Sequence, residues 1–386
     1  MIKNRSSSDR KPLPGPSHLI LSIADRCNLR CSMCPTAFDF GRPSGLVFTE
    51  HGRRVLEEIL PHVTLATLTG AEVFYTPPDT YAWLMGALLR NEQVELMAVT
   101  NATLLDHERT QEIVDRYRGL TLSLESLDPE LYRSIRVGAE LESVLENLDR
   151  LHELKRAAGK GMHDPPLLHL NCVIFRDALD GLPELVRLAA RLEIRIVAFT
   201  RFLLFDRRQR GTHADQSFPV TTADRARWRE LFESMVDLGR CHGVTVVDRT
   251  ATLVPRSEDH LPWHTSRVGG TETCPDPWST LFVRTDGSTA FCTASELNLG
   301  NVNTDSFDES GSGSGLATRA RSSSGGDCRA VSRSAPGGWS RSRVILARSL
   351  CNAGCGFGGE RRSGMVSSAP AKRPDALARR MPRGFE

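Results

Sequence analysis

Six short apolar runs alternate with six helix-like stretches over roughly the first 240 residues, and this alternation limits the fold more than any other feature of the chain. The runs are Leu19 to Ile23, Leu65 to Thr69, Val94 to Val99, Leu120 to Leu124, Leu167 to Ile174 and Ile194 to Phe199. Each is rich in Leu, Val, Ile or Thr and reads as buried on both faces, the mark of a parallel strand. The stretches between and after them are Thr49 to His62, Thr80 to Leu89, Asp106 to Arg118, Glu140 to Ala157, Leu182 to Leu192 and Thr222 to Gly239. They carry helical spacing, and Thr49 and Asp106 are placed to cap two of them. Six consecutive βα units predict an α/β fold with a parallel sheet and outer helices, either a partial (β/α)6 barrel or a doubly wound sheet. In both, the reactive groups collect at the C-terminal ends of the strands.

The ends of the chain follow other rules. Residues 1–16 are a Pro- and Ser-rich lead-in expected to be disordered. The barrel-like body is expected over 17–250, and a smaller module over 251–309. That module holds a hairpin in which Leu281 to Arg284 runs into Asp286-Gly287 and returns as Ser288 to Cys292, Asp-Gly being a strong tight-turn signal. From Ser310 to Glu386, Ser, Gly, Arg and Ala fill 50 of the 77 positions without period, so this stretch reads as a disordered basic tail or as an out-of-frame translation of GC-rich DNA. The tail holds 14 Lys and Arg against 4 Asp and Glu, leaving 35 against 43 in the first 309 residues. A net acidic body does not suggest a nucleic-acid surface. No window approaches the roughly 18 apolar residues a membrane span needs, and the polar start has no secretory character. A soluble cytoplasmic protein with no membrane and no nucleic-acid partner is the expectation.

In that compartment ten cysteines point to metal or redox chemistry rather than to disulfides. Cys27, Cys31 and Cys34 follow the first strand as Cys-x3-Cys-x2-Cys. Three thiolates so spaced suit three irons of a 4Fe-4S cluster and leave the fourth iron open. A zinc site is the alternative, although zinc asks for a fourth ligand and no Cys or His is adjacent.

This triplet resembles the cluster motif of the radical S-adenosylmethionine superfamily, whose fold is a partial (β/α)6 barrel. The resemblance implies a 4Fe-4S cluster and S-adenosylmethionine as cofactors, and reductive cleavage of the latter to a 5′-deoxyadenosyl radical. Met33 stands where the family often has an aromatic. Thr69-Gly70-Ala71-Glu72 is similar to the family's Gly-Gly-Glu motif, which meets the methionine ammonium. Thr100-Asn101-Ala102-Thr103 is like its Thr-Asn-Gly turn, and Ser123-Leu124-Glu125-Ser126 stands where polar side chains meet the ribose and carboxylate. Gly70, Ala71, Glu72, Thr100, Asn101, Ser123, Glu125 and, on the fifth strand, Asn171 are the cofactor-binding residues so implied. Read singly, each is a polar or small residue at a strand end, as a cap would be.

Cys274, Gly287 and Cys292 resemble the opening of a SPASM or twitch module, which implies an auxiliary 4Fe-4S cluster held by Cys274 and Cys292. Cys328, Cys351 and Cys355 lie in the patternless tail at unfamiliar spacing. Cys172 is a weak candidate for donating a hydrogen atom to a substrate radical; it and Cys241 read otherwise as small apolar residues. With 26 residues ahead of Cys27, the chain is expected to lack the added recognition domain of peptide-modifying relatives. A small polar substrate follows, an aminocyclitol or aminosugar of antibiotic biosynthesis, which an oxidoreductase would dehydrogenate or epimerise. The stretch Thr200 to Arg208 is a candidate substrate contact or a solvated charge run. The alternatives are a peptide maturase and a non-catalytic metal-binding or degraded copy. An electron donor such as flavodoxin or ferredoxin completes the expected partners.

Overall fold

The computed structural model describes residues 15–34, 48–202, 216, 221–250, 266–268, 271–273, 279–291 and 298–306. All fall in the first of two units into which the chain divides, Met1–Asp327 and Cys328–Glu386. Cys274, Cys292, the stretch 203–208 and the tail from 310 lie outside the described residues, as does most of the lead-in.

Seven parallel strands run in chain order: β1 (His18–Ala24), β2 (Leu65–Gly70), β3 (Glu95–Thr100), β4 (Gly119–Ser123), β5 (Leu167–Ile174), β6 (Ile196–Arg201) and β7 (Thr245–Arg249). The helices between them are α1 (Glu50–Ile59), α2 (Pro78–Leu89), α3 (His107–Arg116), α4 (Pro129–Ile135), α5 (Leu141–Ala157), α6 (Leu182–Arg191) and α7 (Thr222–His242). Each new strand adds beside the last, and the order never reverses. A doubly wound sheet needs such a reversal, so the winding is that of a barrel left open.

Within the βα body, two elements escape the sequence reading. α4 is only seven residues long, and β7 is an edge strand with a single Val-Val pair, too little for either period to register. The expectation of burial on both faces also needs correction. β5 alternates strictly between half-buried and buried positions, and β2 and β3 alternate with one exposed end each. On these three strands the even-numbered positions face the core: Ala66, Leu68, Leu96, Ala98, Leu168 and Leu170 are buried. They share the core with the apolar stripes of the helices, such as Val55, Leu56 and Ile59 on α1. The other face, with Thr67, Met97, His169 and Asn171, borders the open interior and carries polar groups that a closed core would exclude.

Capping explains where the helices start. Thr49 accepts Gly52 N–H, Asp106 accepts Arg109 N–H, Asp128 accepts Leu131 N–H, and Thr221 with Asp224 closes a capping box on α7.

Beyond β7 comes a separate two-stranded ribbon, β8 (Ser266–Val268) with β9 (Thr271–Thr273). The C-terminal hairpin that follows joins the main sheet. β10 (Thr280–Val283) lies parallel to β1 with Leu19 beside Leu281, and β11 (Ser288–Ala290) and β12 (Gly300–Asn301) continue antiparallel. Gly287 turns the hairpin with φ +81°, and a Cβ there would meet Asn303 Nδ2 at 2.3 Å. Asn303 in turn accepts the Thr49 backbone N–H at 2.9 Å, which ties the hairpin to the start of α1.

Candidate functional site

The loop after β1 brings Cys27, Cys31 and Cys34 to the C-terminal end of the sheet. Leu29, 2% exposed, anchors its middle in the core. Two backbone bonds stitch it to the last residue of α4 and the segment just after it: Ser32 N–H to Ile135 C=O and Arg30 N–H to Val137 C=O, both 2.9 Å. A turn closes Cys34 N–H on Cys31 C=O at 3.0 Å.

Nitrogen donors surround the sulfurs. Cys27 Sγ accepts Leu29 N–H at 3.3 Å and Asn101 Nδ2 at 3.7 Å, and Cys31 Sγ accepts Arg136 Nη1 at 3.6 Å. Burial pushes the Cys27 thiol up, and it pushes Cys31 up to about 11 although Arg136 opposes it. Metal binding must therefore deprotonate these groups, and the donors are already in place to stabilise the resulting charge. Tyr132, one helical turn before Arg136, adds a buried hydroxyl that has no hydrogen-bond partner among the described residues and lies within electrostatic reach of Cys31. Thiolates offered donors on this scale fit an iron-sulfur cluster. Among the described residues no three His, Cys, Asp or Glu gather closely enough for one metal ion. The corners of a cluster hold their thiolates farther apart than a single zinc does.

The strand ends interlock around this loop. Gly70 closes β2 with φ +132°, and a Cβ there would stand 2.5 Å from Ala24 C=O. Only glycine adopts that conformation freely. Ala71 N–H then bonds to Ala24 C=O at 2.8 Å, so β2 ends against the start of the cysteine loop. Glu72 is 2% exposed, and its carboxylate accepts Thr100 Oγ1 at 2.7 Å, Asn101 N–H at 2.8 Å and Phe74 N–H at 3.2 Å. Burial still pushes its carboxyl up. Thr100 and Asn101 are held by this carboxylate, and the Asn101 side chain passes the connection on to Asn28 Oδ1 at 3.0 Å and to Cys27. Asn28 also donates to Thr103 Oγ1 at 2.8 Å. Ala102, next to Asn101, is in the left-handed region with φ +63°, a conformation that costs a non-glycine residue about 1 kcal/mol or more.

Ser123, the last residue of β4, is the register partner of Asn171, which lies within β5 and not at its end as expected; both are on the half-buried face. Asn171 Oδ1 accepts Thr200 Oγ1 at 3.0 Å. Glu125 is fully buried, with both oxygens taken by Arg136: Nε at 2.6 Å and Nη2 at 2.5 Å. Cys172 has no exposure and lies on the helix-facing side of β5, where its thiol donates towards Glu125 C=O at 3.8 Å. The interior lies on the opposite face of that strand.

Sequence reasoning misses Asn28, Tyr132, Arg136, His18 and His169. Asn28 sits inside the motif, and Arg136 beside a helix too short to detect. His18, whose Nε2 meets Thr67 Oγ1 at 2.9 Å, and His169 occupy alternate positions on the inner face, and strict alternation is the signal for them.

A family model, described as radical SAM superfamily, matches residues 21–163. The chain carries a radical SAM superfamily domain. A 4Fe-4S cluster and S-adenosylmethionine are the cofactors of such a domain. Among curated proteins, the chain is similar to the GTP 3',8-cyclases of Bradyrhizobium diazoefficiens and Clostridium botulinum. The first is 31% identical over 179 residues, 45% of this chain and 49% of the relative; the second is 28% identical over 142 residues, 35% and 43%. The chain thus spans less than half the length of these relatives. In three dimensions it resembles Streptococcus suis SuiB bound to S-adenosylmethionine, with TM-score 0.55 and 16% identity over 77% of this chain and 66% of that one. It also resembles anSMEcpe with bound AdoMet, with TM-score 0.52 and 15% identity over 76% and 80%. These likenesses bear on the fold, which the radical SAM domain shares with them.

Proposed function

We propose that the chain is a radical SAM enzyme acting on a small polar substrate, with Cys27, Cys31 and Cys34 holding the cluster. The single observation that carries this reading is the convergence of nitrogen donors on two of the three sulfurs, from β3 through Asn101 and from the end of α4 through Arg136. When bound, the cluster supplies one electron that cleaves S-adenosylmethionine. The chain's own residues do the rest. Gly70 and Ala71 bring backbone close to the loop, Ser123 and Asn171 present polar groups to the interior, and Glu72 holds the β3 end in place. The half-buried face with Thr67, His169, Asn171 and Thr200 suits a substrate with hydroxyl or amino groups.

Within that class, hydrogen abstraction followed by dehydrogenation or epimerisation is the proposed reaction. An aminocyclitol or aminosugar is the finer substrate proposal, and a nucleotide is the second candidate, because the curated relatives are named GTP 3',8-cyclases. An auxiliary cluster on Cys274 and Cys292, a C-terminal module over 251–309 and a flavodoxin or ferredoxin as electron donor belong to the same proposal. No helix among the described residues is long and apolar enough to cross a membrane.

The test is anaerobic reconstitution with iron and sulfide, followed by reductant and S-adenosylmethionine. Formation of 5′-deoxyadenosine is expected. Its absence from a chain that purifies with zinc overturns the reading. Deuterium transfer into 5′-deoxyadenosine from labelled aminocyclitols or from labelled GTP separates the two substrate candidates.

A further inference from the structure

Cys31 and Arg136 meet where the cysteine loop runs against the end of α4, whose C-cap residue is Arg136. The bonds Arg30 N–H to Val137 C=O and Ser32 N–H to Ile135 C=O flank them on both sides. These bonds hold the two backbones together where Arg136 Nη1 meets Cys31 Sγ at 3.6 Å.

Arg136 is 7% exposed and its guanidinium is gripped by Glu125 at 2.6 and 2.5 Å, which leaves Nη1 for the sulfur. A protonated thiol is a poor acceptor for a buried cation, whereas a thiolate is a strong one. Glu125 takes Nε and Nη2 of the guanidinium, so the cation is held in place and Nη1 remains directed at the sulfur. Cys27 Sγ meets neutral donors instead, Leu29 N–H and the Asn101 amide. The two sulfurs are thus held in unequal environments.

From this arrangement, and resting on the proposed assignment of Cys31 as a cluster ligand, we infer that Arg136 sets the reduction potential of the cluster. It does so by donating a charge-assisted hydrogen bond to the Cys31 thiolate, with Glu125 holding the guanidinium in register. Donation to a ligand sulfur stabilises the reduced, more negative state of a cluster and raises its potential. Arg136 acts through Cys31 and needs no contact with substrate.

The experiment is an EPR-monitored redox titration of the full reconstituted chain without S-adenosylmethionine. Wild type is compared with Arg136→Gln and with Glu125→Gln/Arg136→Gln, the double variant leaving no buried carboxylate unpaired. A charge-assisted bond is roughly twice as strong as a neutral one, and the glutamine can offer at most the neutral kind. One-electron reduction is therefore expected to become at least about tenfold less favourable in both variants, a shift of about 59 mV to more negative potential. An unchanged potential in either variant with full iron and sulfide content overturns the inference. So does failure of both variants to hold a cluster, which would make Arg136 a structural clamp. A wild-type chain that binds no cluster would instead defeat the proposed function, so the two failures are told apart.

Discussion

The Glu72 carboxylate at the end of β2 accepts the Asn101 backbone N–H at the end of β3, 2.8 Å away, and through Asn101 it reaches Cys27. A residue that the sequence suggests as a ligand is in this structure the brace between two strand ends. Its two oxygens serve three donors. Glu72→Gln leaves one acceptor oxygen and places an NH₂ where a donor already points. The variant is expected to lose about 1–3 kcal/mol in urea unfolding. It should also reconstitute its cluster more slowly as Asn101 shifts. An unchanged unfolding midpoint would count against the bracing role.

Gly70 makes a second, sharper case. At φ +132° an L side chain is strained whatever the space, and here the added Cβ would also stand 2.5 Å from Ala24 C=O. Gly70→Ala must move β2 away from the start of the cysteine loop. The expected cost is about 2 kcal/mol or more, read as a lower midpoint in thermal or urea unfolding. Gly86→Ala serves as the control, since an added Cβ meets nothing within 4 Å.

These two residues also show how far the sequence can be read. Glu72 and Gly70 are visible as a motif at a strand end, but a motif does not say whether its carboxylate faces the ligand or the backbone. That depends on where the end of β3 comes to lie. The six strands are legible because each carries enough Leu, Val and Ile to register. The openness of the interior is not, because a Thr or His inside an apolar run reads as noise until the alternation of β5 is seen. Arg136 is hidden for a different reason: its role depends on a pairing between residues 105 positions apart, and α4 supplies too few residues for a period.

His169 provides a pH test of that interior. Burial first, then the charges of Arg249 and Arg195, push its imidazole down to about 4 from an ordinary value near 6.5. Between these values the unfolded chain binds a proton that the folded chain refuses, so stability falls as pH drops from about 6.5 to about 4. The full shift is worth up to about 3 kcal/mol. Urea unfolding at pH 7 and pH 4.5 should show this loss in wild type and a smaller one in His169→Asn. Equal pH dependence in both would show that His169 is not the group responsible.

The division of labour between the two sets of cysteines leads to the last prediction. Cys31 is 5% exposed and sits in the loop that meets β2, β3 and the end of α4. Cys31→Ala is expected to lose the iron and sulfide of one cluster and to reduce 5′-deoxyadenosine formation to background. Cys292, proposed as a ligand of a separate centre, should behave differently. Cys292→Ala is expected to keep substrate-independent 5′-deoxyadenosine formation within a few-fold of wild type while substrate conversion falls to background. Iron and sulfide counts on each variant, with 5′-deoxyadenosine and product measured in the same reaction, check both outcomes. Identical and complete loss of cleavage in the two variants would mean that the two sets do not serve separate centres.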